Sequence, residues 1–213
     1  MLVPDPATLA QISEPDEIAA RILQAALEQF ELVGVRRTTL QDVARRCGVG
    51  RATLYRRFAT KEALVDAVVI AEVRRFLIGS ARARAQGRTF EESGINSTIF
   101  TVKFLRDHAL LNKLVQTEPE NIMPRFAGDA AALLEFIVDY STAQWRSELF
   151  GDATPRPDQE QHLRTASELT TRLAISFILT PETRIPLDSD DEIREYARNY
   201  IMPILTSAKA YPR

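Results

Sequence analysis

The sequence predicts an all-α chain: an N-terminal three-helix unit containing a helix-turn-helix, followed by a larger helical bundle. Three observations predict it. Apolar residues recur at helical spacing along most of the 213 residues. The alternation of apolar and polar residues that marks strands is nearly absent. Capping pairs stand in front of several of the helical stretches.

The elements follow in order. Ile18, Ile22, Ala26, Phe30 and Val33 form one stripe, with Ala19, Leu23 and Leu27 beside it, which predicts a helix over 15–33. Ser13 with Asp16 gives its start, Pro15 suits the first turn, and Gly34 is its stop. Thr39 with Asp42 opens a short helix to about Arg46, and Cys47-Gly48-Val49-Gly50 reads as a tight turn. A second short helix runs from Arg51 to Arg57. Thr60 caps a helix from Lys61 to about Gln86, with Leu64, Val65, Val68, Val69, Val73 and Phe76 inward. The Ala81–Arg84 stretch and Gly87 mark a junction. Beyond it the pattern predicts helices over 90–107, 108–117, 124–150, 157–180 and 190–207, broken at Glu118-Pro119, 151–157 and 181–188. Ser189 with Glu192 caps the last, and Pro203 predicts a kink or an early end within it. The expected division is 15–80 for the N-terminal unit and 81–213 for the bundle.

Composition narrows the function. One cysteine, Cys47, forms no internal disulfide, and the two histidines, His108 and His162, build no metal cluster. No cofactor and no metal are expected. There is no run of apolar residues long enough to span a bilayer and no basic-then-apolar leader, so no membrane partner is expected and the expected location is a reducing cytoplasm. The net charge of −2 conceals an asymmetry. Between Arg36 and Lys61 stand eight basic residues against one acid, Asp42, a net of +7, while the rest of the chain carries −9. Such a patch is either a solvated face or the footprint of a polyanion.

The chemistry sits in the helix-turn-helix over 39–58. Leu40, Val43, Ala44, Val49, Leu54 and Phe58 face inward. Arg51, Ala52, Thr53, Tyr55, Arg56 and Arg57 are left for the outward face of the second helix. A helix that reads the major groove needs this division, one face anchored and the other presented to base edges. Arginine reads guanine with a fork of donors, a threonine methyl touches thymine, and Thr39, Tyr55 and Lys61 are phosphate-bonding types.

From Ala25 to Leu64 the chain resembles the TetR family of transcriptional regulators. The resemblance rests on Ala25-Ala26, Phe30, Gly34, Thr38-Thr39-Leu40, Asp42-Val43-Ala44, Gly48-Val49, Thr53-Leu54-Tyr55, Phe58 and Lys61-Glu62-Ala63-Leu64. It implies a homodimer in which a fourth helix links a DNA-binding head to a ligand-binding body and two C-terminal helices pair across the dimer. The expected function is a sequence-specific DNA-binding regulator, a repressor released from a palindromic double-stranded operator by a small-molecule effector. By position Thr39, Thr53, Tyr55 and Lys61 match the family's DNA-contacting motif, Arg51 and Ala52 its variable recognition start, and Arg57 stands where many members carry His. Gly50 departs from the usual Ser or Thr, leaving the second helix without a side-chain cap. Cys47 replaces the usual Ala and reads as a small buried hydrophobe.

The body is expected to hold an apolar or amphipathic small molecule among Phe100, Phe104, Met123, Phe126, Tyr140, Trp145 and Phe177, although core packing alone accounts for any one of them. His108 reads as a helix-start residue. The 61–86 helix touches both parts and is the expected transmitter. Two other classes were weighed. An enzyme lacks a phosphate loop, a nucleophile elbow and a metal cluster. A protein-contact module does not account for the +7 patch.

Overall fold

The computed structural model describes residues 15–117, 130–180 and 182–210. Helix α1 (Glu17–Val33) begins two residues later than the periodicity predicts, because Asp16 is its N-cap: Asp16 Oδ1 accepts from the Ala19 amide at 2.9 Å. The expected start at Ser13 lies outside the described residues. Gly34, at φ 88°, ends the helix with its N–H on Phe30 O. Helix α2 (Leu40–Cys47) opens on the predicted capping box and closes on Gly48 in the left-handed region. Helix α3 (Arg51–Arg57) starts at Gly50 with no side-chain cap, as the sequence predicts. Helix α4 (Lys61–Arg84) is capped by Thr60. It ends two residues short of Gln86, since Gln86 and Gly87 already bond three residues back, onto Ala83 O and Arg84 O.

These four helices close around Ile22, Ala26, Phe30, Val43, Leu54 and Leu64, all fully buried. Ile18, predicted inward, is exposed. Cys47 is half-buried against this core rather than inside it.

The body comprises α5 (Phe90–Arg106), α6 (Ala109–Thr117), α7 (Ala130–Phe150), α8 (Pro157–Leu179), α9 (Asp190–Tyr196) and α10 (Met202–Ala210). Its core is built on Ile95, Trp145, Leu163, Ile193, Tyr196 and Leu205. Two glycines permit close helix approaches. A Cβ at Gly79 would fall 2.2 Å from Phe100 Cζ, and one at Gly94 would fall 2.2 Å from Met202 Sδ. The predicted disturbance near Pro203 takes a specific form. Residues Ala197–Ile201 make a π-helical turn between α9 and α10, with Met202 N–H on Ala197 O. Proline has no N–H and collides with the carbonyl four residues back, so the wider turn just before it takes up the misfit without ending the helix. The 124–129 portion of the predicted 124–150 helix lies outside the described residues.

Candidate nucleic-acid interface and body cavity

The local folding of α2 and α3 orients the outward residues. The Thr39 hydroxyl donates to Asp42 Oδ2 at 2.6 Å and accepts from the Asp42 amide at 3.2 Å, so α2 starts at one defined residue. The Thr39 hydrogen bonds, side chain first, hold the Asp42 carboxyl below its usual range. Leu54 is wholly buried and anchors α3. Opposite it Arg51, Ala52, Tyr55 and Arg56 are exposed, and Thr53 is half-buried. The Arg51 guanidinium lies 5.5 Å from the centre of the Tyr55 ring, a cation–π contact that stiffens both side chains.

The basic patch divides into two sets. Arg46 bonds Gln29 at 2.9 Å and Glu28 at 3.3 Å, pinning α2 to α1. Arg57, expected on the outward face, turns back to Asp16 at 2.7 Å and ties the end of α3 to the start of α1. Arg37 donates to Val33 O, and Lys61 to Arg36 O at 2.9 Å. Among the described residues Arg51 and Arg56 make no ion pair, and they remain on the presented face with Tyr55.

The body contains a cavity of about 1380 Å³ between α4, α5, α6, α7 and α8. That exceeds the roughly 300–1,000 Å³ usual for small-molecule sites. Of the residues expected around a ligand, Phe104, Tyr140, Trp145 and Phe177 line it. Phe100 does not. It packs over Gly79 and against Phe76 and Phe104, because the missing Cβ leaves a slot there. Met123 and Phe126 lie outside the described residues.

The sequence reading missed the polar part of the wall. His108 is 5% exposed, and its Nδ1 accepts from the Leu111 amide at 3.3 Å, the helix-start role expected of it. Its Nε2 lies 2.8 Å from Glu72 Oε2, and Arg75 reaches the same oxygen at 2.5 Å. Arg84, read in sequence as part of a junction, is 6% exposed and stacks on Trp145 at 5.2 Å. Glu72 and Arg75 stand three apart on one helix, the one sequence signal that could have been used. Nothing local in the sequence pairs either with His108. Helix α6 was likewise missed as a connector. Leu110 is buried in the head core, and Lys113 donates to Glu31 O and Leu32 O at the end of α1.

Residues 22–68 match the family described as bacterial regulatory proteins, tetR family. Over 54 residues the chain is 43% identical to an HTH-type transcriptional repressor of Mycobacterium tuberculosis (strain H37Rv), which spans 25% of this chain and 29% of that protein. The chain thus matches under a third of the length of these curated relatives. An HTH-type transcriptional regulator of the same strain is 29% identical over 198 residues, 92% of this chain and 90% of the relative. Among solved structures, the TetR family repressor AlkX from a Dietzia species, implicated in biodegradation of n-alkanes, superposes with a TM-score of 0.62 at 19% identity, covering 88% of this chain and 94% of that one. A transcriptional regulator from Cytophaga hutchinsonii gives 0.54 at 18% identity, covering 88% and 94%. At these identities the two structures speak to the fold alone.

Proposed function

We propose that this chain is a member of the tetR family of bacterial regulatory proteins, whose model matches residues 22–68, and that it is a sequence-specific DNA-binding transcriptional regulator, a repressor that a small apolar or amphipathic effector releases from its operator. The observation that carries the reading is the two-sided α3: Leu54 wholly buried on one face, and Arg51, Ala52, Tyr55 and Arg56 exposed on the other. Arg51 and Arg56 are the base-reading candidates, with Thr53 beside them. Thr39, Tyr55 and Lys61 take phosphates, Lys61 with the ammonium protons not used on Arg36 O. Arg57 acts through its tie to Asp16, setting the angle of α3.

The unit that binds is a homodimer on a palindrome, with two copies of α3 about 34 Å apart. Leu169 and Leu173 of α8 and Tyr200 of the π turn support this, being large, exposed and on the last two long helical segments. Chain segments 15–80 and 81–213 serve as DNA-binding and as effector and dimer domains. Among the described residues no helix is long and apolar enough to cross a membrane, and the proposed workplace is the cytoplasm, beside the DNA. The cavity is the effector site, with α4 and α6 as the two connections from its wall to the head. Effector and operator then weaken each other by the same factor, typically about 5–150-fold.

Binding of the full chain to a fluorescent DNA fragment, followed by anisotropy across a salt series, tests the proposal. Affinity should fall linearly on a log–log salt plot. Arg51→Ala should cost about 1–3 kcal/mol at one base position, and Lys61→Ala should reduce the salt slope by about one for all sequences. Salt-independent binding, or an Arg51→Ala variant with operator affinity intact, overturns the corresponding role.

A further inference from the structure

The polar groups of the cavity wall are unevenly satisfied. Its half-buried acid, Glu72, is engaged by His108 at 2.8 Å and Arg75 at 2.5 Å. Its buried base, Arg84, is engaged only in part. Arg84 Nη2 donates to Gln144 Oε1 at 2.7 Å, but Glu148 stands 3.6 Å from Nε, beyond hydrogen-bond reach, and the Nε–H has no acceptor. A cationic N–H buried without an acceptor is costly. Because Nε is closed off here, between the body cavity and a smaller pocket lined by Gln144 and Glu148, the cost is relieved only by an acceptor that the guanidinium shifts to meet. One turn earlier on α4, Ser80 shares a buried hydrogen bond of 3.0 Å with Ser97 of α5, and both line the same wall. The wall also carries the hydroxyls of Thr98, Thr101 and Ser141 and the apolar side chains of Trp145, Phe104, Leu111 and Phe177.

We propose that the cavity takes an amphipathic carboxylate, with its head group on Arg84 and the Ser80–Ser97 hydroxyls and its hydrocarbon body along Phe104, Leu111 and Phe177. The proposal rests on the effector reading and deepens it by naming the ligand class. A carboxylate is favoured over a neutral acceptor because a hydrogen bond between ions is roughly twice as strong as a neutral one. A cationic ligand is disfavoured because Glu72 already has two partners, and the acids at the cavity mouth, Glu62, Glu182 and Asp188, are exposed and screened by water. Glu148 is the internal competitor for Arg84. Burial pushes its carboxyl upward against the pull of Arg84 and Ser93, which weakens its claim on the guanidinium.

The test uses the full chain and the fluorescence of Trp145, its one tryptophan, whose ring lies 5.2 Å from the Arg84 guanidinium. Dodecanoate, dodecanol and dodecylammonium share one hydrocarbon body and differ in head group. Each is titrated below its aggregation concentration. Dodecanoate should bind at least about tenfold tighter than dodecanol, with dodecylammonium weakest. Arg84→Met should bring dodecanoate to the level of dodecanol without changing dodecanol, and Arg84→Lys should keep the preference. Removing a buried cation beside Glu148 can unfold the body, so the double variant Arg84→Met/Glu148→Gln, which removes both charges, carries the same expectation. Equal binding of dodecanoate and dodecanol, a preference for the ammonium, a carboxylate preference that survives loss of Arg84, or no saturable binding by any probe overturns the proposal. The effector reading fails separately: dodecanoate that binds through Arg84 but leaves DNA affinity unchanged establishes the site and removes its role in release.

Discussion

The Lys113 ammonium donates to the carbonyl oxygen of Leu32 at 2.7 Å, joining α6 of the body to the last turn of α1 in the head. The same ammonium reaches Glu31 O at 2.8 Å. The last turn of α1 has no basic residue of its own, so Lys113 supplies both the hydrogen bonds and the positive charge that a helix C-terminus favours. Leu110 and Leu114 pack beside it on the head core. Lys113→Met should therefore lower head stability by about 1–2 kcal/mol, seen as faster amide exchange in the last turn of α1. Leu110→Ala should cost more, about 2–5 kcal/mol. Unchanged exchange in α1 on losing Lys113 would mean that the contact carries no load between body and head.

Glu72 makes stability pH-dependent in a direction that can be derived. Burial alone would raise its carboxyl, but the His108 hydrogen bond and the Arg75 charge and hydrogen bond outweigh burial and hold it below the usual carboxylate range. The folded state thus binds this proton less readily than the unfolded state. The stabilisation is fully present above the ordinary carboxylate range and is lost as pH falls through that range toward the depressed folded value. Because His108 Nδ1 accepts from the Leu111 amide, geometry assigns the ring proton to Nε2, facing the carboxylate. Urea midpoints measured from neutral to acid pH should decline less steeply in Glu72→Gln than in the parent chain. Parallel curves would exclude Glu72 as a source of the acid sensitivity.

Much of this architecture was legible because it is local. The Thr39–Asp42 box, the Gly48 stop and the Leu54 anchor each depend on residues within a turn or two, and sequence spacing reports such relations directly. The outward set Arg51, Ala52, Tyr55 and Arg56 followed from the same spacing. What escaped depends on distant segments. Arg57 reads as outward from α3 alone, and only the position of Asp16 shows that its guanidinium is tied back to the start of α1, while the residue stays exposed. Phe100 reads as one more aromatic of the cavity until Gly79 offers it a slot on another helix. Arg84 reads as part of a junction in an Ala-Arg-Ala-Arg stretch, and its burial depends on Trp145, Gln144 and Glu148 arriving from α7. Fixed one-turn spacing carries no information about such meetings.

Thr39 is assigned two duties that separate experimentally. Its hydroxyl is already committed to Asp42 as donor and acceptor. Thr39→Ala removes the cap and should cost about 0.5–2 kcal/mol of stability. Thr39→Ser keeps the hydroxyl and should melt close to the parent. If the hydroxyl also serves a phosphate, Thr39→Ser should retain DNA affinity while Thr39→Ala loses it beyond what its stability loss explains. Equal DNA affinity of both variants at a temperature where both are folded would leave Thr39 as a cap alone.

The dimer reading predicts opposite outcomes for residues on the two sides of the last long helices. Leu163 and Ile193 are 0% and 2% exposed within one chain, so a charge at either destroys the body core. Leu169 and Tyr200 are 49% and 62% exposed, so replacing Leu169 removes little intramolecular packing, whereas Tyr200 also stacks on Tyr196 and Leu173, 37% exposed, also lines the cavity. Large apolar side chains left on one face of paired helices are best accounted for by a second copy, since a two-fold contact buries the same patch on both subunits at once. The variant Leu169→Glu should then keep its helical content and thermal transition as a monomer while sedimenting at half the parent's mass. Like charges brought together across a two-fold axis cost association free energy on both sides of the contact. Its affinity for a palindromic operator should collapse toward that of one isolated head, because the second α3 no longer arrives with the first. A charged variant that still sediments as a dimer would move the interface elsewhere on the body. A parent chain that is monomeric at micromolar concentration would remove the dimer altogether.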